Sequence, residues 1–157
     1  MAAATPEAAA PASRLDTILM TAESLLRSPP ANGIAAASPA RAQSLRELGF
    51  RIFRLGLAFI DAVDAGQLRE AWLQERLPAD MRQSRTVANY GALVRGRLAG
   101  WFEGTDAATF TRTIDTQDGP RLAHELLEHM IEQAAQHLRD LRALAERDQG
   151  AGGPAGP

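Results

Sequence analysis

The stretch HELLEHMIEQAAQHLRDL, residues His124–Leu141, decides the fold class, because its apolar residues recur every three or four positions. On a helical wheel these apolar residues fill one half of the circumference: Leu126, Leu127, Met130, Ile131, Ala134, Leu138 and Leu141. Acidic side chains, among them Glu125, Glu128 and Glu132, fill the other half. The pattern predicts an amphipathic helix that buries one face against other elements.

The rest of the core has the same helical periodicity. It predicts three further long helices: 13–27, 45–65 and 86–103. The segment Ser28–Ala40 contains prolines and a glycine and predicts a long connection after the first helix. Gly66–Pro78 predicts a short crossing helix between the second and third helices. The predicted fold is therefore all-α, a four-helix bundle.

The link Gly104–Gly119 contains Thr-rich patches, including FTRTIDT, which resemble a strand. A single strand would have no pairing partner here, so we predict a loop. Pro120 would then open the last helix near its first turn, where the missing N–H costs nothing.

Composition limits the domain organisation and the classes of function. The 157 residues are 45% apolar and fit one domain, which we place at 13–148, between low-complexity tails at 1–12 and 149–157 that we expect to be disordered. The net charge of -2 argues against nucleic-acid binding. The chain has no cysteine, which excludes thiolate ligands and a cysteine nucleophile. Neither a signal peptide nor a membrane span of roughly 18 apolar residues is visible, so a cytoplasmic protein without a membrane partner is expected.

Three polar side chains of the last helix lie on or beside its apolar half. Gln133 and His137 fall inside that half, and His129 lies just beyond its edge next to Gln133. Burying an unpaired polar group costs roughly 1 to 3 kcal/mol, so these side chains need partners. They are either core polar residues, bonded to each other, to a backbone carbonyl or to water, or members of a binding site. A shared metal ion is not expected, because Gln133 is a poor ligand and the two histidines are about 12 Å apart along the axis.

Two stretches of the chain resemble bacterial DinB-like four-helix proteins of the DinB/YfiT superfamily: LRELGFRIFRLGLAFIDA (Leu45–Ala62) and GPRLAHELLEHMIEQAAQHLRDL (Gly119–Leu141). The resemblance extends over residues 13 to about 147. It implies a four-helix bundle in which a divalent metal, zinc or nickel, is held by one histidine on the second helix and two on the last. It also implies chemistry of the thiol S-transferase or isomerase type, with low-molecular-weight thiols such as mycothiol or bacillithiol.

Carried across to this chain, the three metal positions of the family fall at Arg51, Gln133 and His137, and only His137 is a histidine. The resemblance therefore implies a degenerate metal site, with no tightly bound metal and no other cofactor. An arginine at position 51 would place a permanent positive charge and a planar set of donors there, which suits a carboxylate, phosphate or thiolate. The alternative for Arg51 is a solvated side chain that pairs with a nearby acid.

These observations predict a protein that binds a small molecule, anionic or thiol-bearing, in a pocket between the second and last helices. As a transferase, isomerase or hydrolase it would use His137 as a base or hydrogen-bond donor and Arg51 as an anion clamp. Four further residues are interpreted as ligand-binding: Gln133, His129, Tyr90 and Trp101. Tyr90 and Trp101 belong to a helical stripe that is typical of core. A non-catalytic binding or protection module, a metal-dependent thiol S-transferase and a homodimer are the alternatives left open.

Overall fold

A computed structural model of the chain describes residues 6–28 and 38–152. Its elements are, in chain order, α1 (Pro6–Arg27), α2 (Pro39–Ala65), α3 (Glu70–Leu73), α4 (Ser84–Glu103), α5 (Ala107–Phe110), β1 (Thr113–Thr116), β2 (Gly119–Leu122) and α6 (Ala123–Gly152). The described chain is therefore mostly helical, with one small sheet, and the predicted helical class is confirmed at this level.

Two of the long helices begin earlier than predicted, at Pro6 instead of Ser13 and at Pro39 instead of Leu45. At α2 the reason is the cap: the Ser38 hydroxyl oxygen accepts from the Arg41 N–H, and Pro39 occupies the first turn, where proline is favoured. Residues 6–12 and 149–152 of the predicted tails are helical. Residues 1–5, 29–37 and 153–157, which include most of the predicted long connection, lie outside the described residues.

The loop predicted for Gly104–Gly119 is wrong, because this segment contains α5 and the first strand of a hairpin. β1 pairs antiparallel with β2, with Thr116 opposite Gly119 and Asp115 opposite Pro120. Gly119 has a φ of 103°, which favours glycine. β2 begins at the last residue of this segment and continues to Leu122, where the sequence predicts the first turn of the last helix. Pro120 accordingly lies in a strand, and α6 begins at Ala123.

The predicted crossing helix is shorter than expected, because only Glu70–Leu73 of the segment Gly66–Pro78 is helical. Gly66 ends α2 with a left-handed φ of 77°, a conformation in which glycine is favoured. The backbone then pairs with the hairpin: the Leu68 N–H donates to the Asp115 carbonyl at 2.7 Å. The remainder of the segment passes over α2 in an irregular conformation.

The four long helices enclose one apolar core. α2 packs against α4 on one side and α6 on the other, and α1 contacts the same two helices. At the α2–α4 interface, a Cβ atom at position 91 would overlap the ring of Phe53, so Gly91 permits the close approach of the two helices. On the surface between α1 and α4, Arg95 pairs with Asp16 at 2.9 Å and with Glu23 at 3.2 Å. These carboxylates raise the pKa of Arg95 above its ordinary value.

Candidate functional site

A cavity of about 710 Å³ lies between α2, α6 and the segment 70–77 that follows α2. Its volume is within the range of roughly 300 to 1,000 Å³ that is typical of small-molecule sites. Charged and polar side chains enter it from all three walls, while Phe50, Leu55, Leu73 and Leu77 supply apolar surface. The cavity can therefore hold a molecule that has both an apolar part and charged groups.

Three residues singled out from the sequence, Arg51, Gln133 and His137, line this one cavity. Arg51 extends from α2, whereas Gln133 and His137 lie one turn apart on α6. Arg51 is exposed, and the other two are half-buried. The packing of α2 on α6 thus brings together residues that are distant in the sequence.

His137 has a pKa below its ordinary value. Burial is the first cause, because it disfavours the charged imidazolium, and the positive charge of Arg51 is the second; the carboxylate of Asp140 opposes both. Among the described residues, no side chain forms a hydrogen bond with His137. A neutral imidazole offers one donor and one acceptor nitrogen, so His137 can accept a proton from a molecule in the cavity.

Gln133 and His129 are partners of each other, with Gln133 Nε2 and His129 Nε2 3.1 Å apart. His129 does not line the large cavity. It lines a smaller one of about 140 Å³ beside the hairpin, where Asp118 and Arg121 also lie. Gln133 borders both cavities, so the His129–Gln133 bond links the large cavity to the hairpin side of the molecule.

Tyr90 and Trp101 do not line the cavity between α2 and α6. Tyr90 stacks on Phe50 with ring centroids 5.3 Å apart, and so supports a cavity wall from behind. Trp101 packs edge-on against Phe59 at 5.4 Å, and its Nε1–H donates to Asp64 at 3.3 Å. Both residues therefore act in packing between α2 and α4, in agreement with their helical spacing.

Arg54 is one of the charged cavity residues that the sequence interpretation missed. Its side chain is 13% exposed, and its Nη2 lies 2.7 Å from Oε2 of Glu75, which is 51% exposed. Its Nε is buried without a hydrogen-bond partner among the described residues. The available signal was an arginine one turn after Arg51, inside a run of otherwise apolar residues.

The residues at the three positions where the resemblance implies metal ligands do not fit a zinc or nickel ion. Arg51 brings a positive charge that would repel a cation, and the Gln133 amide is bonded to His129. His137 is the only good ligand of the three. Within residues 6–28 and 38–152, no group of three or more His, Asp or Glu side chains could hold a metal ion.

No protein-family model, curated protein or solved structure matches this chain. Within the described residues, no helix has the length and apolar character required to cross a membrane.

Proposed function

We propose that the chain is a DinB-like four-helix-bundle protein whose cavity between α2 and α6 binds a small anionic or thiol-bearing molecule. One observation supports this proposal above the others. Arg51, Gln133 and His137, the positions to which the family resemblance points, line the same cavity although α2 and α6 are separated in the sequence.

The two charged or titratable members of this group have complementary chemistry. His137, neutral because of burial and the nearby Arg51, accepts the proton of a bound thiol. The resulting thiolate is stabilised by the positive charge of Arg51, in the way that a nearby cation lowers the pKa of a thiol. The thiolate then forms a sulfur–carbon bond with an electrophile held in the same cavity. The electron pair of the opened double bond, or the departing leaving group, takes the proton back from the His137 imidazolium, which corresponds to a transferase or isomerase.

Binding is tested by isothermal titration calorimetry with low-molecular-weight thiols that contain a carboxylate. Arg51→Gln should weaken their binding by about 1.5 kcal/mol, close to tenfold, because it removes a charge-assisted hydrogen bond at an exposed position. Arg97→Gln is the matched control, since Arg97 lies outside the cavity and pairs with Asp61 at 3.7 Å. Equal binding by both variants, or no binding of any thiol by wild type, would contradict the proposal.

Catalysis is tested separately by incubating the protein with the bound thiol and an electrophile and detecting the conjugate by mass spectrometry. His137→Gln should retain binding and lose product, because an amide cannot accept the thiol proton. Tight binding by wild type without any conjugate would support a non-catalytic binding module. It would exclude enzymatic activity toward the compounds tested.

A further inference from the structure

We infer that Arg54 is the principal anion-binding residue of the cavity, and that the Glu75 carboxylate occupies it until a ligand carboxylate or phosphate replaces it. This inference rests on the proposed function and narrows the class of ligand that the cavity would bind. The ligand would be a small molecule with a carboxylate or phosphate group, oriented with that group toward α2.

The donors of Arg54 are only partly used. A guanidinium carries five N–H donors in a planar fork that matches a carboxylate or phosphate through two parallel bonds. Here Nη2 is close to Glu75, while Nε is buried without an acceptor among the described residues. Because buried polar groups are normally hydrogen-bonded, the free Nε indicates that an acceptor belongs beside it.

Burial favours Arg54 over Arg51 as the residue that binds an anion. Arg54 is 13% exposed, so less water screens its charge than the charge of the exposed Arg51. Both side chains line the cavity, and a single ligand can contact both. Arg54 would then hold the anionic group, leaving Arg51 beside His137.

Glu75 has the properties of a replaceable partner. It follows α3 in an irregular segment, its side chain is 51% exposed, and Arg54 is its ion-pair partner. Because the Glu75 side chain is 51% exposed, water can solvate its carboxylate when it leaves Arg54, so breaking this pair costs less than breaking a fully buried one. A ligand that makes two bonds to the guanidinium can therefore displace the single contact from Glu75.

Displacement of Glu75 also changes the charge of the cavity wall. The wall contains three arginines, Arg51, Arg54 and Arg76, and three glutamates, one of which is Glu75. With Glu75 turned outward, three arginines face the two remaining glutamates, Glu47 and Glu70. The cavity then has the net positive charge that an anionic group requires.

The experiment is a titration of the full-length protein with inorganic phosphate and, separately, with succinate. The readout is the Nε–H resonance of Arg54 in ¹H–¹⁵N NMR spectra, assigned by its loss in Arg54→Lys. Both probes should shift this resonance. Glu75→Gln should tighten binding about threefold relative to wild type, since the competing carboxylate is removed, and Arg54→Lys should weaken it at least fivefold.

Asp61→Asn is the matched control, because it removes one negative charge from α2 at the Arg97 pair, outside the cavity. Equal affinities of Glu75→Gln and Asp61→Asn would show that Glu75 does not compete, and would overturn the inference. An Arg54 resonance that stays fixed while Arg51→Gln still weakens binding would overturn it and leave the proposed function intact. If neither anion and no thiol binds to the protein, both the proposed function and the role of Arg54 are contradicted.

Discussion

The two sides of helix α2 differ in packing and in chemistry. Toward α4, Phe53 fills the space left by Gly91, and Phe59 meets the ring of Trp101. Toward α6, Arg51 and Arg54 line an open cavity together with polar side chains. The α4 side of this helix is closely packed, whereas part of its α6 side opens into a cavity lined by charged side chains, which we propose binds the ligand.

The largest expected difference between the two sides is in stability. Phe53→Ala should lower the free energy of unfolding by about 3 to 5 kcal/mol, because it removes a fully buried ring and leaves a void against α4. Arg51→Ala, two residues earlier on the cavity side, should change it by about 0.5 kcal/mol or less, because the side chain is exposed. Urea unfolding of wild type and both variants measures these free energies. Similar decreases in the two variants would contradict the expected difference between the two sides of α2.

A smaller effect is expected in the pH dependence of stability. The folded-state pKa of His137 is lowered, mainly by burial and then by Arg51, so the unfolded chain binds the proton more readily. This contribution to stability is complete above about pH 6.5 and declines as the pH falls from 6.5 toward the folded-state pKa.

The measurement is the free energy of unfolding of wild type and His137→Gln at a series of pH values. Wild type should lose more stability than the variant below pH 6.5. His124→Gln, at an exposed position of the same helix, should follow wild type. A difference between wild type and His137→Gln that is constant with pH would show that His137 is not desolvated in the cavity wall.

The helices were predictable from the sequence because burial on one face imposes a spacing of three and four residues. Their starts were less predictable, since Pro39 can either end an element or open a helix, and the Ser38 cap decides between these roles. The hairpin was missed for a different reason. β1 pairs with the residues that follow a two-residue turn, Gly119–Leu122, and these residues contain a proline and directly precede the helical periodicity of α6.

The candidate site was predictable only in part. The helical wheel placed Gln133 and His137 on the apolar half of α6, and both are half-buried at the cavity. The third wall comes from segment 70–77, in which only the four residues of α3 are helical, and no periodicity of apolar residues specifies its path. The pairing of Arg54 with Glu75 depends on that path, so the sequence could not reveal it. Spacing alone also could not show which neighbouring helix Tyr90 and Trp101 contact.

We propose that the side of α2 that faces α6 is the side that binds the ligand. The most direct test is a backbone ¹H–¹⁵N chemical-shift map of the full-length protein during titration with a carboxylate-containing thiol. The expected shifts fall on residues 47–55, 70–77 and 133–137, and residues 97–103 of α4, which lie away from the cavity, stay unchanged. Shifts concentrated on 97–103, or none within 47–55 and 133–137 at saturating thiol, would contradict this binding side.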